Sequence, residues 1–262
     1  MLTLLLLACG TGSSTDTAPL DTGDSAVDSA DSGDTADTDT SDTADTADTG
    51  PTPIFSEPFD SLDTTVWLPG DWVLGATQLD PRNAHLVSGG VNLVHLADGA
   101  GGWSGVELYT GSTYRGGMWS TDMVVPDSAG TVCATFLYDE TDGVVNEIDV
   151  ELLAGGAWFS VYADWTEADG YVDGPTYQHL VWPFPTDFAL DTPHEYRFGW
   201  GKEDVRFFVD GDEVGTIPLA PAVPLAVHVN HWTSTTWAEV QYPPADRLIC
   251  RNEGIVAFPL PE

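Results

Sequence analysis

The sequence predicts an all-β fold, an antiparallel sandwich or jelly roll of about a dozen strands in one domain. Three observations carry this. β-Branched and aromatic runs follow one another, broken at short intervals by Gly, Pro and Asp clusters. No window sustains the 3.6-residue apolar period of an amphipathic helix. Gly (27), Pro (18) and Trp (10) are plentiful in the 262 residues, a balance that favours strands and turns over a helix bundle.

Three segments follow one another: residues 1–9, 10–50 and 51–262. Met1 to Cys9 is a short apolar run ending in a small residue and a cysteine. Leu6-Leu7-Ala8-Cys9 resembles the lipobox of a bacterial lipoprotein signal, which implies export and a lipid on Cys9. It departs from that pattern in its brevity and in having no positively charged start. An ordinary secretory signal is the alternative. Residues 10–50 form an irregular Asp/Thr/Ser/Ala repeat, such as Asp42-Thr43-Ala44-Asp45-Thr46-Ala47-Asp48. Such a stretch buries too little apolar surface to offset its ordering entropy, so it is expected to be a disordered linker.

Seven Lys plus Arg stand against 42 Asp plus Glu, for a formal charge of −35. Residues 11–50 hold 11 of those acids, so the remainder is acidic in its own right. A nucleic-acid partner is excluded by the lack of a basic surface. Acidic polysaccharides and anionic lipid surfaces would be repelled. No apolar run approaches the roughly 18 residues of a spanning helix, so the expected membrane link is the lipid on Cys9.

Within 51–262, strands are expected at Thr131–Tyr138, Trp158–Tyr162, Glu195–Trp200, Val205–Val209 and Glu213–Ile217. The last two flank Asp210-Gly211, the signature of a tight hairpin. Cys133 and Cys250 fit a disulfide in an exported protein and fit two buried thiols equally well. The six His residues are scattered, with no HExxH, no CxxC and no metal-ligand spacing.

One segment stands apart: Asn146-Glu147-Ile148-Asp149-Val150-Glu151-Leu152. Alternate side chains of a strand share a face. Glu147, Asp149 and Glu151 then point one way, and Ile148, Val150 and Leu152 point into a core. Three like charges in a row are costly, so stability alone does not select this pattern. A solvated edge face is one alternative. A Ca²⁺ loop is another, though it wants a turn rather than a β-branched strand. The functional reading is a retaining glycosidase, whose nucleophile and general acid/base are carboxyls about 5–5.5 Å apart. Glu147 and Glu151 lie roughly 13 Å apart along an extended strand, at about 3.3 Å per residue. Twist and two flexible side chains shorten that gap. Asp149 between them can hydrogen-bond the nucleophile.

Glu147-Ile148-Asp149-Val150-Glu151 resembles the ExDxE signature of glycoside hydrolase family 16, in the unbulged branch of bacterial lichenases and plant xyloglucan transglycosylases. Flanking segments fall in the family's order: Glu107-Leu108-Tyr109, Tyr114 to Trp119 and Gly130-Thr131-Val132 before the motif. His194-Glu195-Tyr196, Phe207-Phe208-Val209-Asp210-Gly211 and Asn230-His231-Trp232 follow it. The resemblance covers roughly residues 55–240. It implies a concanavalin-like jelly roll of two antiparallel sheets with a concave open cleft. It implies Glu147 as nucleophile, Glu151 as acid/base and Asp149 as their partner. Glu107, Tyr138, Asn230, Trp232 and Trp119 are expected to line the glycan subsites.

Departures bear on specificity. Tyr109 replaces an Arg found in lichenases, Asn146 replaces the usual Asp, and the strand around Arg247–Arg251 matches poorly. The expected activity is a retaining endo-β-glucanase on a neutral β-1,3 or mixed β-1,3/1,4-glucan, acting as a monomer and needing no cofactor. Some relatives hold a structural Ca²⁺, but no ligand for one is identifiable here. A transglycosylase on the same fold and a non-catalytic glycan-binding sandwich are the alternatives.

Overall fold

The computed structural model describes residues 51–125, 129–237, 240, 243 and 246–260. Cys9 and the 10–50 segment lie outside the described residues. Seventeen strands are present among the described residues. The first eight are β1 (Phe55–Glu57), β2 (Trp67–Pro69), β3 (Val73–Leu74), β4 (Thr77–Leu79), β5 (Ala84–Val87), β6 (Gly90–Ala97), β7 (Trp103–Tyr114) and β8 (Gly117–Val124). There follow β9 (Val132–Thr141), β10 (Val144–Leu153), β11 (Gly156–Trp165), β12 (Tyr177–Pro183) and β13 (His194–Trp200). The last are β14 (Val205–Val209), β15 (Asp212–Ile217), β16 (Leu225–Trp232) and β17 (Arg247–Phe258). The excess over a dozen comes from β1 to β5, each only two to four residues long.

Two layers form the jelly roll. The first, here the cleft sheet, runs β2-β7-β16-β9-β10-β11-β12. The second runs β15-β14-β13-β8-β17, with β1 and β6 on the far side of β17 and β5 beyond β6. β7 joins them: Trp103 and Ser104 pair with β6, and from Val106 the strand pairs with β16. Pairings are antiparallel except β4 with β7.

Local chemistry explains the registers that matter. β9 and β10 are joined at Asp142-Gly143, both at positive φ (53° and 78°). That is the type I′ geometry whose twist matches flanking strands. Asp210-Gly211 does the same between β14 and β15, at 50° and 88°.

The core lies between the layers. Ile148, Val150 and Leu152 of β10 are fully buried there, against Phe159 and Val161 of β11 and Phe207 of β14. Trp119 corrects the sequence expectation. It lies on β8 of the second sheet, 2% exposed, with its ring parallel to Phe198 at 6.2 Å and its indole N–H donated to the Gly116 carbonyl. Burial of a large ring between sheets outweighs any surface role, and Trp119 faces the core rather than the cleft. Cys133 of β9 and Cys250 of β17 form a disulfide across the sandwich, with Cα atoms 5.9 Å apart. The sheets converge at this end, where β7 passes from one to the other and His231 Nδ1 reaches the Leu93 carbonyl at 2.8 Å.

Candidate active site

The outer face of the cleft sheet is a grid. Strand pairing sets side chains from successive strands in transverse rows, and alternate residues of each strand reach this face. One row reads Ala226, Tyr138, Glu147, Tyr162, Tyr177. The next reads Tyr109, His228, Phe136, Asp149, Ser160, His179. The third reads Glu107, Asn230, Ala134, Glu151, Trp158, Val181. The three acids of β10 thus stand in consecutive rows, with their apolar neighbours on the opposite face. The pairing of β10 with β11 slips by one residue before Glu147, where Asn146 turns aside to accept from the Asp164 N–H at 3.0 Å. From Glu147 to Leu153 the ladder is regular.

Glu147 and Asp149 lie deep in this floor, at 6% and 5% exposure, while Glu151 is half-buried. Burial disfavours the charged form of all three. It pushes Glu147 up to about 8, opposed by a hydrogen bond from Asp149 and reinforced by the charges of Glu151 and Glu107. It pushes Glu151 up to about 7. Asp149 is held well above the usual carboxylate range by burial and by the charges of Glu147 and Glu151. The hydrogen bond between the two favours the charged form of Glu147 and the protonated form of Asp149, so Asp149 is the donor. Tyr162 faces the same charges, and burial raises its hydroxyl pKa, so it stays a donor at neutral pH.

Beside Glu151 an aromatic-walled groove of about 220 Å³ is lined by Trp158, Tyr162, Tyr171, Tyr177, His179 and Trp237. Trp158, His179 and Tyr177 stack in sequence, with 5.7 Å between each pair of ring centroids and interplanar angles of 9° and 16°. Asp173 fixes His179 by accepting from its backbone N–H at 3.1 Å and pairing with Nδ1 at 3.0 Å. Trp237 meets Trp158 edge-on at 5.0 Å. Sequence reasoning singled out none of these as ligand-facing. Alternation turns Trp158 away from Phe159 and Val161 in a predicted strand, but the sheet which that strand joins, and so whether its outer face is the cleft, is not in the local pattern.

The other expected positions also reach this face. Glu107 is buried and bonded by His228 Nδ1 at 2.9 Å and Asn230 Nδ2 at 3.3 Å. Tyr138 donates its hydroxyl to Glu140 at 2.7 Å. Trp232 packs at the edge of the face with Leu74, Leu79 and Trp237, beneath Gly75, where no side chain fits above its ring. It supports the floor and offers little surface.

A model of Glycosyl hydrolases family 16 matches residues 73–243, about two thirds of the chain. The chain belongs to that family. Probable xyloglucan endotransglucosylase/hydrolase protein 7 of Arabidopsis thaliana is 29% identical over 126 residues, which is 44% of this family 16 chain and 41% of that relative. The chain thus spans less than half the length of the curated relative it matches. Among solved structures, a β-glucanase of Bacillus licheniformis superposes with a TM-score of 0.67 at 22% identity, over 78% of this chain and 97% of that one. A β-1,3-1,4-glucanase from a mouse hindgut metagenome gives 0.67 at 21%, over 79% and 99%. A laminarinase catalytic domain of Thermotoga maritima gives 0.64 at 15%, over 81% and 99%. At these identities the likeness is one of fold.

Proposed function

We propose that this family 16 chain is a retaining endo-β-glucanase acting on a neutral β-1,3 or mixed β-1,3/1,4-glucan. The observation that carries the reading is the row geometry: two carboxyls flank a third on one outward face, with an aromatic-walled groove beside the outer one. Glu147, as carboxylate, attacks the anomeric carbon while Glu151 gives its proton to the departing glycosidic oxygen. Glu151, now a carboxylate, takes a proton from water as that water displaces Glu147. Asp149 holds the attacking carboxylate by its hydrogen bond. Burial raises Glu151 to about 7, the direction an acid catalyst requires, while the Asp149 hydrogen bond works the other way on Glu147 and favours its charged form. Aromatic faces stack on the apolar faces of glucose rings, and an uncharged substrate suits a chain of charge −35.

Hydrolysis of lichenan, laminarin and xyloglucan tests the proposal, with Glu147→Gln as control. Release of reducing ends by the wild type alone supports it. Rates equal to the control's on every glucan would sink it. The relative named as an endotransglucosylase/hydrolase favours a second reading, in which a sugar hydroxyl in the Trp158 groove replaces water. Product analysis with an added oligosaccharide separates the two. Export with a lipid on Cys9 belongs to the same proposal and rests on Leu6-Leu7-Ala8-Cys9; the mass of the mature N-terminus tests it.

A further inference from the structure

Among the described residues, Glu107 is the one carboxylate on the cleft face outside the β10 trio that is almost wholly buried. A buried carboxylate is tolerated only when its oxygens are satisfied. Two groups of β16 satisfy it. His228 Nδ1 lies 2.9 Å from Oε1, with side-chain exposures of 8% and 4% for the pair. Asn230 Nδ2 reaches Oε2 at 3.3 Å. A carboxylate only accepts, so His228 is the donor. Its ring cannot swing. Tyr109 stacks on it at 5.4 Å and 16°, Phe136 packs at 4.7 Å, and Tyr138 meets it edge-on at 5.6 Å.

The amide of Asn230 is spent on Glu107, which leaves its Oδ1 buried with no partner. A buried orphan acceptor costs free energy unless a donor arrives. A sugar hydroxyl is such a donor, and Glu107 stands beside it in the same row. That row ends at Glu151, three strand spacings or about 14 Å away.

We propose that His228 is a positioning residue for substrate binding: it clamps Glu107 so that Glu107 and Asn230 together receive hydroxyls of a neutral β-glucan, about 14 Å across the sheet from Glu151. The inference rests on the glucanase reading, in which Glu107 and Asn230 already face the glycan, and adds to it the residue that holds them in place. His228 itself need not touch the glucan. Tyr109 lies opposite His228 and two residues from Glu107 on the same face of β7, so a cation placed there can reach the same carboxylate.

The test compares KM and kcat of the full chain on soluble lichenan, with thermal melting alongside. His228→Met removes the donor while keeping bulk. It is expected to raise KM about tenfold and to lower kcat by no more than about twofold, as loss of one charge-assisted hydrogen bond away from the reacting atoms predicts. His228→Asn restores a donor near Nδ1 and should recover most of KM. Adding Tyr109→Arg to His228→Met should do the same. Glu107→Gln, which leaves the ring stack intact, should raise KM alone and guards against a His228→Met chain that does not fold. An unchanged KM in Glu107→Gln overturns the proposal. So does a loss in His228→Met that follows melting temperature and falls equally on kcat and KM, with no recovery in either rescue. A wild type with no turnover on any neutral glucan sinks the glucanase reading and this inference together; turnover with an unmoved KM sinks this inference alone.

Discussion

Asp149 stands two residues from Glu147 on the same face of β10 and donates a hydrogen bond to it. Burial first, and then the neighbouring acids, hold Asp149 well above the usual carboxylate range, which favours the donor proton. An amide can supply the same donor. Asp149→Asn should therefore keep far more activity than Asp149→Ala. We expect the Ala variant to lose on the order of 100-fold in kcat and the Asn variant about tenfold, the range found for single preorganised donors. Steady-state rates on lichenan decide it, and equal losses in both variants would remove Asp149 from the mechanism.

The same trio sets a sign for stability against pH. Folded pKa values of about 8 for Glu147 and about 7 for Glu151 lie above the ordinary 4.5. The unfolded chain releases those protons first, so the stabilising contribution is whole below about pH 4.5 and is lost as pH rises through 7 to 8. His95 and His231 act in the opposite direction. Burial lowers them to about 3 and about 4 from 6.5, so their contribution is whole above pH 6.5 and fades as pH falls toward 4. Glu147→Gln should melt a few degrees above wild type at pH 8 and match it at pH 4. Melting curves at the two pH values check this; a gain of the same size at both would show that charge is not the cause.

The alternating acids were legible because a two-residue period needs only the strand itself. So was the Asp210-Gly211 hairpin, a local signal. Asp142-Gly143, which sets the register of the acidic strand, was equally readable. Which tryptophan meets the cleft was not legible, because that depends on the sheet each strand joins. Trp119 is on the second sheet with its ring turned inward, whereas Trp158 is on β11 beside Glu151. The Glu107–His228 pair joins residues 121 apart in sequence, and no spacing rule finds it.

Those two tryptophans give a paired expectation. Trp158 walls the groove and stacks on His179, so Trp158→Ala should raise KM about tenfold, the equivalent of about 1.4 kcal/mol of stacking. Trp119→Phe leaves the cleft untouched and should lower melting temperature with KM unchanged. Kinetics and melting of both variants test the assignment. A KM effect from Trp119 and none from Trp158 would reverse it.

The disulfide ties the acidic strand's neighbour to the far sheet. Cys133 points inward from β9, and the next residue, Ala134, faces Glu151 across the β9–β10 ladder. The two cysteines are 117 residues apart, so the link closes a long loop in the unfolded chain. Chain-entropy reasoning gives about 4.7 kcal/mol for a loop of roughly 100 residues. At about 2–4 °C per kcal/mol for a domain of this size, the Cys133→Ala/Cys250→Ala chain should melt on the order of 10 °C lower. Both sulfurs are buried in the core, so alkylation of the folded wild type should leave them unlabelled, and denaturation without reductant should still expose no thiol at 133 or 250. Peptide mapping after alkylation reads this directly. Free thiols in the denatured, unreduced chain, or a double variant that melts with the wild type, would remove the staple from the account of how β9 is held against Glu151.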